Sequence, residues 1–125
     1  MIDHVSIGVR NVAASKRFYD AALPPLGYKC LSESAESLGY GAKAPALWVG
    51  AAERPVAADG KSGLHLCFSA PNRKSVDAFH AAGLASGGLD NGGPGLRADY
   101  GAGYYAAYLM DPDGYRIEAY FAEQA

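Results

Sequence analysis

"HLCFSAPNRKSVDAFHAAGL" (65–84) lies over "HVSIGVRNVAASKRFYDAAL" (4–23) without a gap. His4 falls on His65, Asn11 on Asn72, Phe18 on Phe79, Ala21 on Ala82 and Leu23 on Leu84. Val5 and Ile7 fall on Leu66 and Phe68, so the apolar alternation of an extended segment recurs with the identities. A unit of about 60 residues exceeds the usual solenoid periods, and two copies are too few to stack as an array. The chain therefore reads as a duplicated half-domain, with module one at about 1–61 and module two at about 62–125.

Each copy predicts the same elements. A strand (2–9; 63–70) leads to Asn11 or Asn72, whose side chains suit the N-cap of a following helix. The helices are predicted over 12–23 and 73–84, on stripes that include Val12, Tyr19 and Leu23 in the first and Val76, Phe79 and Leu84 in the second. "PPLG" and "GLASGG" end them, through missing amide donors and glycine freedom. Strand candidates follow: "YKCLS", "SLGYG" and "ALWVG" in the first copy, "YYAAYLM" and "YRIEAYF" in the second. Glycines concentrate in 83–103, which reads as a long loop bordering a pocket, with the missing short strand somewhere in 86–103. Both halves are thus β-α-β-β-β, an α+β fold.

"DPDG" (111–114) joins the last two strands, with residue types that suit a type I turn. In the final strand Ile117, Ala119 and Phe121 share one face, and Arg116, Glu118 and Tyr120 the other. A four-residue turn places Tyr105 opposite Tyr120. The first strands carry His4 and His65 on their polar faces. Taken singly, each of these is a solvated polar side chain. Taken with the repeat, two imidazoles at equivalent positions and one carboxylate form a 2-His-1-carboxylate set. Such a set binds a divalent cation and leaves positions open for water or substrate. Trp48, Cys67, Tyr105 and Tyr120 are the candidate pocket residues around it, and the aromatics among them offer a flat wall. Cys67 also reads as a small half-buried side chain. The catalytic base is unassigned.

Composition narrows the field. The chain has 125 residues, half of them hydrophobic, with a formal net charge of −2. That balance gives no electrostatic case for nucleic acid. No apolar run reaches the roughly 20 residues needed to span a bilayer, and the N-terminus has no signal-peptide pattern. Cys30 and Cys67 make no disulfide framework, so the expected compartment is the reducing cytoplasm.

"HVSIGVRNVAASKRFYD", "GLHLCFSA" and "DPDGYRIEAYF" resemble the vicinal oxygen chelate superfamily, which includes glyoxalase I, extradiol dioxygenases, methylmalonyl-CoA epimerase and the fosfomycin- and bleomycin-resistance proteins. The resemblance covers essentially the whole chain. It implies two β-α-β-β-β modules forming a cupped mixed sheet, helices on the outer face, a divalent metal and a homodimer. The family ligands fall on His4, His65 and Glu118, and the metal implied is Fe, Mn, Zn or Ni. Two departures weigh against glyoxalase I. The position of its additional glutamate ligand is Trp48, and that of its glutathione-contacting arginine is Gly8. The expectation is a metal-dependent enzyme acting on a small oxygen-chelating substrate by isomerisation, addition–elimination or oxygen insertion. The alternative is a non-catalytic ligand-binding module like the bleomycin-binding members.

Overall fold

The computed structural model describes residues 1–58 and 63–123, so the expected module boundary at 61/62 lies outside the described residues. Strands β1 (Val5–Val9), β2 (Lys29–Glu33), β3 (Ser37–Gly41) and β4 (Leu47–Ala51) form one sheet, in the order β1-β4-β3-β2. Strands β5 (His65–Ser69), β6 (Leu89–Leu96), β7 (Tyr104–Met110) and β8 (Arg116–Ala122) form a second, in the order β5-β8-β7-β6. Position by position the two orders are the same. The first and last strands of each module pair in parallel, and the other pairs are antiparallel. The α+β reading with paired β-α-β-β-β modules holds, as two four-stranded mixed sheets.

Helices α1 (Val12–Ala22) and α2 (Arg73–Ala85) follow the first strand of each module. Both predicted caps are present: Asn11 accepts from the Ala14 amide at 3.0 Å, and Asn72 from the Ser75 amide at 2.9 Å. Such caps stabilise a helix by about 1 kcal/mol each. The duplicated phenylalanines, Phe18 and Phe79, are fully buried in a core they share with Ile7, Val9, Leu109 and Ile117. Alternation sends these apolar side chains of β1 and β8 to the buried face, which frees the opposite face for polar side chains.

The connection between β7 and β8 contains the predicted turn, with the Gly114 amide donating to the Asp111 carbonyl at 2.8 Å. The register differs from expectation by one residue. Tyr120 pairs with Ala106, and Tyr105 pairs with Phe121. The cause is Tyr115, which stays in the connection because its amide donates to Asp111 Oδ1 and its hydroxyl to the Gly8 carbonyl. The glycine-rich segment also differs. Residues 89–96 form β6, a strand whose pairing with β7 is irregular on both sides of Gly92. Gly92 has a φ of +142°, and a Cβ there would lie 3.0 Å from the Tyr108 ring. The glycine permits this close approach of β6 to β7.

Candidate functional site

The open face of the second sheet gathers the polar residues. Parallel pairing of β5 with β8 sets His65 beside Arg116 and Cys67 beside Glu118. Antiparallel pairing of β8 with β7 sets Tyr108 across from Glu118. Glu118 is buried, 3% exposed, and both of its oxygens have partners. His65 Nε2 lies 2.9 Å from Oε1, and the Tyr104 hydroxyl donates to Oε2 at 2.7 Å. A carboxylate this far from water is tolerated only when so partnered. Desolvation, followed by the hydrogen bond to Glu118, pushes the Tyr104 hydroxyl well above the usual phenol range, so it stays a donor. Desolvation and the charge of Glu118 push Tyr108 up to about 12. The same two causes, in the same order, push the Cys67 thiol up to about 12, although the residue keeps contact with solvent. Cys67 is therefore a thiol at neutral pH, not a reactive thiolate.

Beside the His65–Glu118 pair opens a cavity of about 460 Å³. Its walls are His65, Asn91, Gly92, Arg97, Asp99, Tyr100, Tyr108 and Arg116. The volume is that of a small-molecule site. The Arg97 guanidinium stands 5.2 Å from the centre of the Tyr108 ring, and its Nη2 donates to the Gly93 carbonyl at 2.6 Å. Tyr104 and Tyr120 stack nearby at 4.9 Å, with 17° between their planes.

The sequence-predicted residues divide into four places. His65, Cys67, Glu118 and Tyr120 share the open face of the second sheet. Trp48 lies on the first sheet, where it lines a separate depression of about 400 Å³ with Ser6, Gly8, Ser37 and Gly50. Its ring lies over Gly39, where a Cβ would approach to 2.7 Å. His4 precedes β1, is exposed, and pairs with its neighbour Asp3 at 2.7 Å. Tyr105 faces the helix side, and the one-residue register difference is the reason. Its hydroxyl donates to Asp77 of α2 at 2.6 Å, and the Arg73 guanidinium stands 5.1 Å from its ring centre. On β7 the aromatics of the open face are Tyr104 and Tyr108. Alternation back from Glu118 finds them once the connection is counted as five residues.

The donor set is suited to a divalent cation in part. Two ligands each about 2.1 Å from one cation and near a right angle stand roughly 3 Å apart, which is the separation of His65 Nε2 and Glu118 Oε1. Imidazole and carboxylate are suitable donors. Among the described residues, no group of three or more histidine, cysteine, aspartate or glutamate side chains is placed to hold a metal within one chain. One chain thus presents two donors, and His4 is not with them.

Among the described residues no helix is long and apolar enough to cross a membrane. The model of the Glyoxalase/Bleomycin resistance protein/Dioxygenase superfamily matches residues 1–119. The chain is similar in structure to a glyoxalase/bleomycin resistance protein from Albidiferax ferrireducens T118, at 37% identity and a TM-score of 0.81, covering 94% of this chain and 96% of that one. It is similar in fold to a glyoxalase-related enzyme from Fulvimarina pelagi, at 19% identity and a TM-score of 0.76, over 97% and 87% of the two chains. A third likeness is to a glyoxalase/bleomycin resistance protein/dioxygenase family enzyme from Burkholderia phytofirmans PsJN, at 19% identity and a TM-score of 0.71, over 98% of both. No curated protein matches. With the repeat, the strand order and the matched model in agreement, the chain belongs to the Glyoxalase/Bleomycin resistance protein/Dioxygenase superfamily.

Proposed function

We propose that this chain is a metal-dependent enzyme acting on a small oxygen-bearing molecule in the cavity beside His65 and Glu118. The observation that carries the reading is the 2.9 Å approach of a nitrogen of His65, a wall residue of that cavity, to the buried Glu118 carboxylate behind it. His65 and Glu118 would hold a divalent cation, Fe, Mn, Zn or Ni, as two of its protein ligands. Because the third expected donor, His4, is not beside them, it would come from a second copy of the chain, which makes the working unit a homodimer. A cation so held would polarise a substrate oxygen and stabilise negative charge developing there. The chain's own groups do the rest. Tyr104 fixes the carboxylate by donating to its far oxygen. Tyr108 supplies an apolar wall with a protonated hydroxyl, and the cavity limits the substrate to small molecules. Trp48, at the position where glyoxalase I has a further carboxylate, offers no base for moving a proton between carbons, so glyoxalase I activity is not proposed.

A second reading is a ligand-binding module without turnover. The lack of a three-donor group in one chain, among the described residues, favours it. Metal content by plasma mass spectrometry separates the two. Wild-type protein, as purified and after reconstitution with each of the four ions, is compared with His65→Ala and Glu118→Gln. Near-stoichiometric metal in the wild type, lost in both variants, supports the enzyme. A wild-type protein that retains no ion in any trial overturns it and leaves the binding module.

A further inference from the structure

Two arginines face the cavity, and among the described residues neither has a carboxylate of its own. Arg97 comes from the end of β6 and Arg116 from the start of β8, and both are half-buried walls of the same 460 Å³ space. Among the described residues, neither guanidinium lies in an ion pair, although Arg10, Lys16 and Arg73 each do. Each is instead pegged by backbone. Arg116 donates through Nε to the Leu64 carbonyl at 3.4 Å, and among the described residues its two terminal nitrogens have no protein acceptor. Arg97 donates through Nη2 to the Gly93 carbonyl and, at 3.5 Å, through Nη1 to the Leu96 carbonyl, each nitrogen keeping a second N–H, and it rests on the Tyr108 ring. The cavity holds one exposed carboxylate, Asp99, and a histidine whose carboxylate neighbour, Glu118, is already shared with Tyr104. Positive charge with unused, preoriented donors exceeds the negative charge available in the wall.

A guanidinium fork matches the two oxygens of a carboxylate or phosphoryl group, and holding the fork in place reduces the entropy lost on binding. From this we propose that the cavity's ligand is a compact anion, its carboxylate or phosph(on)ate oxygens recognised by Arg116 and Arg97. The inference deepens the reading of the same site as a small-molecule enzyme. It rests on that reading for the substrate class, but not for the binding itself, which the arginines support without a cation. Arg97 and Arg116 are binding residues. The Tyr108 ring provides the flat surface for whatever apolar part the anion carries.

The test uses full-length protein stripped of metal with a chelator and then dialysed free of it, so that no cation can capture the probe. Inorganic phosphate, benzoate and its uncharged relative benzamide are titrated separately by calorimetry into wild type and into Arg116→Met, Arg97→Met, Arg116→Lys and Arg17→Met. Arg17 is exposed on α1, away from the cavity walls, and serves as the control. The expected result is binding of benzoate or phosphate but not benzamide. It should weaken about tenfold or more in Arg116→Met and Arg97→Met, fall by less in Arg116→Lys, and be unchanged in Arg17→Met. Which anion binds then assigns the carboxylate or the phosphoryl class. Failure of both anions to bind overturns the proposal, as does equal binding of benzamide or indifference to Arg116→Met. Metal content is read on separate reconstituted samples of the same preparations. Loss of the metal reading with anion binding intact is thus distinguishable from the reverse.

Discussion

Glu118 shows how much one side chain can depend on its neighbours. It is a carboxylate with almost no solvent contact, and it is supported by one hydroxyl and one imidazole. Removing the hydroxyl alone, in Tyr104→Phe, leaves Oε2 without that donor while the ring and its stacking on Tyr120 remain. The expected cost is about 1–3 kcal/mol of folding stability, read by urea denaturation. An unchanged midpoint would mean that water supports the oxygen equally well. Glu118 itself was legible from alternation alone, because a charged residue between Ile117 and Ala119 must point away from the apolar face. Tyr104 was not. Its assignment depends on a register that shifts by a whole face with one residue.

At the scale of elements, local chemistry and packing divide the credit. Asn11 and Asn72 cap their helices as their side chains dictate, and "DPDG" turns as its residue types require. β6 was hidden because glycine and proline carry no alternating pattern. It exists because β7 offers an edge to pair with, and glycines let the two backbones close. Gly41, at the end of β3, meets a similar demand. A Cβ there would lie 1.9 Å from the Ala44 carbonyl oxygen, a backbone atom that cannot move aside without the whole turn. Gly41→Ala should therefore destabilise the protein by about 1–3 kcal/mol, measured by urea denaturation. Gly50 faces only distant atoms, so Gly50→Ala is the comparison expected to cost less.

In the whole molecule, hydrogen bonds cross between the modules beside the hydrophobic core they share. Tyr19 donates to Asp111 at 2.6 Å, Tyr28 to the Ser69 carbonyl at 2.8 Å, and Tyr115 to the Gly8 carbonyl at 2.5 Å. Asp111 is the buried member. Desolvation raises its carboxyl above the ordinary aspartate value, against the lowering pull of Tyr19 and of the Tyr115 and Asp113 amides. The native protein therefore keeps this proton to higher pH than the unfolded chain does. Between the two values the native state binds more protons, so this group's contribution to stability falls as pH rises through that window. Asp111→Asn does not titrate and keeps an oxygen for the two amides. Urea denaturation from about pH 3.5 to 7 should show the wild type losing stability relative to Asp111→Asn as pH rises. A difference that moves the other way would mean that the hydrogen bonds outweigh desolvation.

The sequence by itself determined the duplication, the β-α-β-β-β order, both helix caps, the β7–β8 turn and the face on which His65 and Glu118 sit. The duplication follows from comparing one half of the chain with the other, and the rest from local propensity or a period of two, which need nothing beyond a few neighbouring residues. Only the tertiary structure decided that His65 meets Glu118 while His4 stands apart, that Trp48 and Tyr120 lie on different sheets, and that Tyr105 faces α2. Those outcomes depend on how two sheets face one another and on whether Tyr115 belongs to a strand or to the connection before it. The fate of Tyr115 is settled by Asp111 Oδ1 and the Gly8 carbonyl, and Gly8 lies in the other module.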